Sequence, residues 1–170
     1  MADALPLLPL LPHIPPLPRQ PRHAAIFQAL GDQLQASVGH TLFTVSYYLP
    51  GGTEVERIFT SLPAAYPNGG RKPVHPTEWN DTMATGACFV ASAPAQFGAH
   101  FEDLDTIVAL GFGAVINIPV IHQGRLVGSL NLLDQEGAYR GNVLPACLVA
   151  GELAVEGFIA YEKFSSTQSA

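Results

Sequence analysis

Three polar side chains interrupt an apolar hairpin. In INIPVIHQGRLVGSLNLLD, residues 116–134, Asn117, Ser129 and Asn131 stand among Val, Ile and Leu. Buried amides and hydroxyls need hydrogen-bond partners. They either satisfy nearby backbone groups or line a pocket and hold a small molecule. A second concentration lies upstream, where Tyr66, Lys72, His75, Trp79, Asp81, Phe89, Phe101, Asp103 and Phe112 crowd a loop-rich stretch. Loops carried on a rigid sheet often hold the site. Trp79, the single tryptophan, either stacks on a flat ligand or anchors a helix to the core. His75 and Asp103 are the acid–base candidates, since proton transfer needs a titratable group within hydrogen-bond reach of the reacting atom. The run EDLD, Glu102 to Asp105, also suits a helix N-terminus, where acids favour the dipole. Arg57 either clamps a carboxylate bidentately or ends a strand in water. Lys72 and His75 either pair with an anion or belong to a stiff exposed loop, RKPVHP.

Other chemistries lack their residues. Cys88 and Cys147 lie far apart in the sequence, with no C-x-x-C, Cys/His cluster or HExxH pattern. Both read as reduced core residues of a cytoplasmic protein. No metal site and no cofactor are evident, and no nucleophile–base motif points to catalysis.

The elements that must position these groups follow from periodicity. Residues 23–37 carry Ile26, Phe27, Leu30 and Leu34 on one helical stripe. Residues 40–49 alternate and are rich in β-branched and aromatic types, a strand; residues 54–62 return beside it after Pro-Gly-Gly. On the first strand Ser46 and Tyr48 share a face; on the second, Arg57, Phe59 and Ser61 do. Residues 63–76 form a loop. Pro76 opens a short helix through Thr85, ended by Gly86. Residues 88–92 form a strand, and a helix from Phe101 to Leu110 stops at Gly111. In the following hairpin a two-residue turn at Gln123-Gly124 pairs His122 with Arg125, Ile118 with Ser129 and Ile116 with Asn131. Asn117 then sits beside Leu130 on the opposite face. Asn142 caps a last helix that runs to about Lys163.

Composition narrows the partners. The 170 residues suit one domain; 48% are apolar and 13% charged, and the net charge is −6. Eight scattered Lys and Arg residues form no basic run, so nucleic acid and anionic membranes are poor partners. No window offers the roughly 18 unbroken apolar residues of a membrane span. Residues 1–22 are a proline-rich arm. Pro6, Pro9, Pro12, Pro15, Pro18 and Pro21 recur every third residue, the period of polyproline II, with Leu7, Leu8, Leu10 and Leu11 between them. It has no basic n-region and its prolines forbid a helical h-region, so it is not a signal peptide. The arm is either a disordered extension or a segment whose leucines pack on this domain or a neighbouring subunit. Residues 165–170 read as a disordered tail.

The element order, together with LGFGAVINIPVIHQGRLVGSLNLLD, resembles the GAF domain family: a small-residue turn, a strand ending in Pro, a Gly turn, then Leu-x-Gly-x-Leu. The resemblance covers about residues 24–163, within a GAF-like domain expected at residues 23–164. It implies a GAF/PAS-like α/β (α+β) sandwich, with a five- or six-stranded antiparallel sheet, terminal helices on one face and a loop-roofed pocket on the other. It also implies a homodimer through the terminal helices, to which the arm could contribute. The family includes a branch that reduces methionine sulfoxide with paired cysteines. This chain departs from that branch, with Cys147 on the last helix and with Asn131 and Leu133 in place of carboxylates. Haem or bilin attachment would need a suitably placed Cys or His, and His100 is the loose candidate.

On that resemblance the Ser129/Asn131 face is the pocket wall and Asn117 a structural amide. The ligand-binding candidates are Tyr48, Phe59, Ser61, Trp79, Phe112, Ser129 and Asn131. The expected function is a small-molecule-binding module, sensor or carrier, without attached effector. The alternative is a small enzyme or catabolic accessory protein acting on a carboxylated or heteroaromatic compound. A third reading is an assembly subunit whose pocket is closed.

Overall fold

The computed structural model describes residues 20–75, 77–98 and 104–168. The arm as far as residue 19 lies outside them, as do His100, Phe101, Glu102 and Asp103.

The first helix, α1, spans Arg22–Ser37 and buries Phe27, Leu30 and Leu34. It ends where the Gly39 N–H reaches back to the Leu34 carbonyl at 3.0 Å, with Gly39 in the left-handed conformation at φ +85°. Strands β1 (Leu42–Tyr48) and β2 (Glu54–Thr60) form a hairpin. Residues 63–76, expected as loop throughout, contribute a short edge strand β3, Arg71–Pro73, on β2. Pro73 is tolerated there because an edge strand leaves one side of its backbone without a ladder partner. Helix α2 (Glu78–Ala84) is capped by the Thr77 hydroxyl, which accepts from Asn80 N–H at 3.2 Å. Strand β4 (Phe89–Ala91) and a 3-10 turn at Pro94–Gln96 follow. Helix α3 (Leu104–Ala109), hairpin strands β5 (Ala114–His122) and β6 (Arg125–Asp134), and helix α4 (Leu144–Gln168) complete the chain. Helix α4 is entered at Val143, whose carbonyl accepts from Cys147 N–H, rather than at Asn142. It continues past Lys163, so residues 165–168 are helical rather than a disordered tail.

The six strands lie in the order β3-β2-β1-β6-β5-β4, every neighbouring pair antiparallel. Helices α1 and α4 cover one face. Between them and the sheet sits the main core, including Phe27, Leu34, Phe43, Val45, Ile116, Ile118, Leu130, Leu132 and Phe158. Glycines set how closely these layers approach. A Cβ on Gly157 would strike the Phe27 ring, and one on Gly128 would strike Phe158 and the Ser46 carbonyl. A smaller core fills one end of the other face: Leu42, Ala91, Phe97, Ile107, Phe112, Val115 and Leu133.

Two β-bulges decide which side chains share a face. The β5–β6 turn has the expected form, with Gln123 and Gly124 both at positive φ and His122 opposite Arg125. The ladder then slips between Val120 and Ile121, so that Val120 faces Gly128 and Asn117 faces Asn131. Counting without the bulge places Ile116 opposite Asn131; the bulge sends Ile116 and Ile118 to the helix side and Asn117 to the other. In β2 a slip at Ile58 pairs Phe59 with Val45 and Arg57 with Ser46. Arg57 and Phe59, expected on one face, therefore point to opposite faces.

Candidate functional site

Away from the terminal helices, beside the smaller core, the sheet face carries a cavity of about 400 Å³. The floor is built by alternation along four strands: Thr44, Ser46 and Tyr48 from β1, Ser129, Asn131 and Leu133 from β6, Val115 and Asn117 from β5, and Val55 and Arg57 from β2. Tyr66, residues of β3 and the chain after it, Trp79 and Asn80 of α2, and Ile107 of α3 close the sides.

The floor is one hydrogen-bond network with a fixed direction. An indole N–H can only donate. Trp79 Nε1 donates to Asn117 Oδ1 at 3.1 Å, which turns the Asn117 amide so that Nδ2 donates to Asn131 Oδ1 at 2.7 Å. The Ser129 hydroxyl donates to the same oxygen at 2.9 Å. Asn131 Nδ2 must then donate outward, to Thr44 Oγ1 at 3.2 Å and Ser46 Oγ at 3.1 Å. Asn131 thus has both lone-pair positions and both amide protons engaged. The Thr44 and Ser46 oxygens serve as acceptors, so their own protons are left to point elsewhere. Thr44, Asn117, Ser129 and Asn131 are all buried, and the network supplies the partners that burial demands.

A second set fixes the roof. The Tyr48 hydroxyl donates to Asn80 Oδ1 at 3.1 Å, and Asn80 Nδ2 donates to the His75 carbonyl at 2.6 Å. Burial pushes the Tyr48 pKa up to about 12, so the phenol stays protonated and keeps this bond. At the β2 side, Arg57 Nη1 donates to the Pro67 carbonyl at 2.7 Å. Its guanidinium lies 3.4 Å over the Tyr66 ring.

Of the sequence candidates, Tyr48, Trp79, Ser129, Asn131 and His75 meet at the cavity. Phe59 does not: it packs in the helix-side core against Phe27 and Phe43. Ser61 is exposed at the end of the β1–β2 ladder, where its hydroxyl accepts from Phe43 N–H at 2.9 Å. Phe112 is buried in the smaller core rather than on the cavity wall. Asp103 lies outside the described residues. Thr44, Asn80 and Asn117 join the cavity without having been singled out for it. Thr44 follows from alternation with Ser46, and Asn117 needed the bulge. Nothing in the sequence marked Asn80.

The two cysteines are also closer than their separation in sequence implies. Burial, then neighbouring Cys88, pushes the Cys147 thiol up to about 11, and burial raises Cys88. Both are therefore held as neutral thiols, the poorly nucleophilic form. Cys147 belongs to the helix-side core and Cys88 packs against it.

No family model and no curated protein matches the sequence. Solved structures do match its shape. The GAF domain of a two-component sensor histidine kinase from Bacillus halodurans superposes with a TM-score of 0.66 at 14% identity, covering 83% of this chain and 96% of that one. The blue-light-absorbing form of the PixJ GAF domain from Thermosynechococcus elongatus gives 0.58 at 16% identity, covering 86% and 89%. The second GAF domain of DevS from Mycobacterium smegmatis gives 0.55 at 14%, covering 86% and 98%. The chain has the GAF-domain fold.

Proposed function

We propose that this chain is a small-molecule-binding module, a sensor or carrier, working through the cavity on the β1–β6 face. The observation that carries the reading is the direction of the floor network. Buried amides and hydroxyls satisfy one another and still leave the Thr44 and Ser46 protons at the wall of a cavity whose volume falls in the range of small-ligand sites. A floor that is preorganised costs little further ordering when a ligand arrives. Solved neighbours of the same fold come from a sensor kinase and a light-absorbing protein, which supports the sensory reading that we carry to this chain. Strand β6 supplies the output route. Ser129 and Asn131 face the cavity while Gly128 and Leu130 face the terminal-helix layer, so a ligand that shifts the floor also shifts the seat of α4. We place the protein in the cytoplasm as a homodimer through its terminal helices.

A screen of thermal unfolding against aromatic acids, amino acids and purines should yield a stabiliser. A compound at a hundred times its Kd adds about 2.7 kcal/mol to the folded state. Asn131→Leu should keep the far-ultraviolet dichroism of the unaltered chain and lose that shift. A library that stabilises nothing overturns the reading.

A second reading, an enzyme acting on a small carboxylated or heteroaromatic compound, has one observation in its favour: His75 reaches the cavity wall. Turnover that disappears in His75→Gln would establish it.

A further inference from the structure

Resting on the cavity as a binding site, we infer that its ligand is a small planar carboxylic acid, held by its carboxylate on Arg57 and by an acceptor atom on the Thr44 and Ser46 hydroxyls.

Arg57 is positioned before any ligand is present. Its backbone is gripped by the Asn-Gly-Gly turn: Arg57 N–H donates to the Gly70 carbonyl at 2.9 Å, and Gly69 N–H donates to the Arg57 carbonyl at 2.8 Å. The guanidinium is laid flat on Tyr66 and tied through Nη1 to Pro67. A Cβ on Gly70 would come within 3.0 Å of Nη1, so the bare glycine leaves the guanidinium room. Among the described residues no carboxylate pairs with Arg57, in a chain with 14 acidic residues. A planar cation fixed in this way, with N–H groups to spare, matches the geometry of a carboxylate.

The rest of the wall has the same polarity. Arg57 lies directly opposite Ser46, and Ser46 opposite Ser129, across β2, β1 and β6. Because Trp79 can only donate, the network delivers its outgoing protons to Thr44 and Ser46, the hydroxyls on the strand next to Arg57. Lys72 also lines the cavity, and none of the described lining residues is Asp or Glu. Hydroxyl donors and the Arg57 guanidinium thus converge on the cavity. Val115, Leu133 and Ile107 supply an apolar surface, and the half-buried Trp79 a flat one. The complementary molecule has a flat apolar body, one anionic group and a hydrogen-bond acceptor on the side facing β1.

The test uses matched pairs at constant ionic strength: indole-3-acetate with indole-3-acetamide, quinoline-2-carboxylate with quinoline-2-carboxamide, and 4-hydroxybenzoate with 4-hydroxybenzamide. Thermal unfolding and titration calorimetry are read on the full chain. We expect at least one acid to bind while its amide does not. Arg57→Gln should weaken that acid about ten- to a hundredfold, the loss of a hydrogen-bonded charge contact. If Arg57→Gln fails to fold, the acid–amide contrast on the unaltered chain decides. Equal binding of acid and amide, or binding of neutral purines alone, overturns the carboxylate assignment and leaves the binding module standing. No shift with any compound, charged or neutral, overturns both.

Discussion

Asn131 is the residue on which the site turns, and its role is indirect. The sequence posed a choice between backbone satisfaction and ligand contact for the polar residues of the hairpin. The structure shows a third arrangement, in which Asn117, Ser129, Asn131, Thr44 and Ser46 satisfy each other. That these positions were special was legible, because amides among Val and Leu are costly unless bonded. Which of them shared a face was not, because one unpaired residue in a β-bulge reverses every side chain beyond it. The same slip at Ile58 put Phe59 in the core while bringing Arg57 to the cavity. The network makes a stability prediction apart from any ligand. Asn131→Leu strands the Asn117 amide proton that it accepts and removes the Ser129 acceptor, so it should cost about 1–3 kcal/mol in urea unfolding. Trp79→Phe removes a single donor and should cost less, about 1 kcal/mol. A Trp79→Phe loss equal to or larger than that of Asn131→Leu would show that Asn131 is not the centre of the network.

The helices carry the next layer of consequence. The extent of α1 was legible from its stripe and that of α4 was not, since Ser165, Ser166 and Thr167 read as a frayed tail. There the Ser166 and Thr167 hydroxyls donate back to the Lys163 carbonyl at 3.0 and 2.7 Å, so side chains that read as polar tail are spent within the helix. The edge strand β3 was hidden for a comparable reason. Three residues beside Pro and Gly have no periodicity to read, and its pairing depends on β2. Where α1 meets the end of α4, His23 is buried among Phe27, Tyr161 and Phe164. Its Nδ1 has no hydrogen-bond partner among the described residues. Burial lowers its pKa from the ordinary 6.5, so folding favours the neutral ring. Well above 6.5 the ring is neutral in both states and no penalty arises; as pH falls through 6.5 the unfolded chain protonates first and the folded state loses stability. Denaturant midpoints measured from about pH 7.5 to about pH 5.5 should therefore fall more steeply for the unaltered chain than for His23→Phe. Parallel slopes would show that the α1–α4 junction does not sense protonation.

At the scale of the whole molecule the sheet divides two tasks, a cavity on one side and a helical layer on the other, and the helical layer is unfinished. By length and composition α4 is long and apolar enough to cross a membrane, yet its inner side is built into the fold, with Cys147, Ala150, Ala154, Gly157 and Phe158 buried. Its outer side keeps Leu144, Leu148, Val149 and Leu153, with Leu148 at 51% and Leu153 at 59% exposure. A helix apolar all round is stable in water when both sides are covered, and a cluster of exposed branched side chains marks a contact surface. We propose a second copy as the cover, because two-fold pairing would let one apolar stripe meet its own image and would place the α4 pair next to β6, beneath the cavity floor. Leu148 and Leu153 lie outside the core, so a double Leu148→Glu/Leu153→Glu variant should fold with unchanged dichroism. The unaltered chain should sediment as a dimer at micromolar concentration and the variant as a monomer. If the acid that binds the cavity shifts the dimer's association constant, the floor and the interface are coupled, and by linkage dimerisation shifts the acid's affinity by the same factor. A monomeric unaltered chain, or a dimer indifferent to both substitutions, would remove α4 from the output route and leave the cavity with a carrier's role.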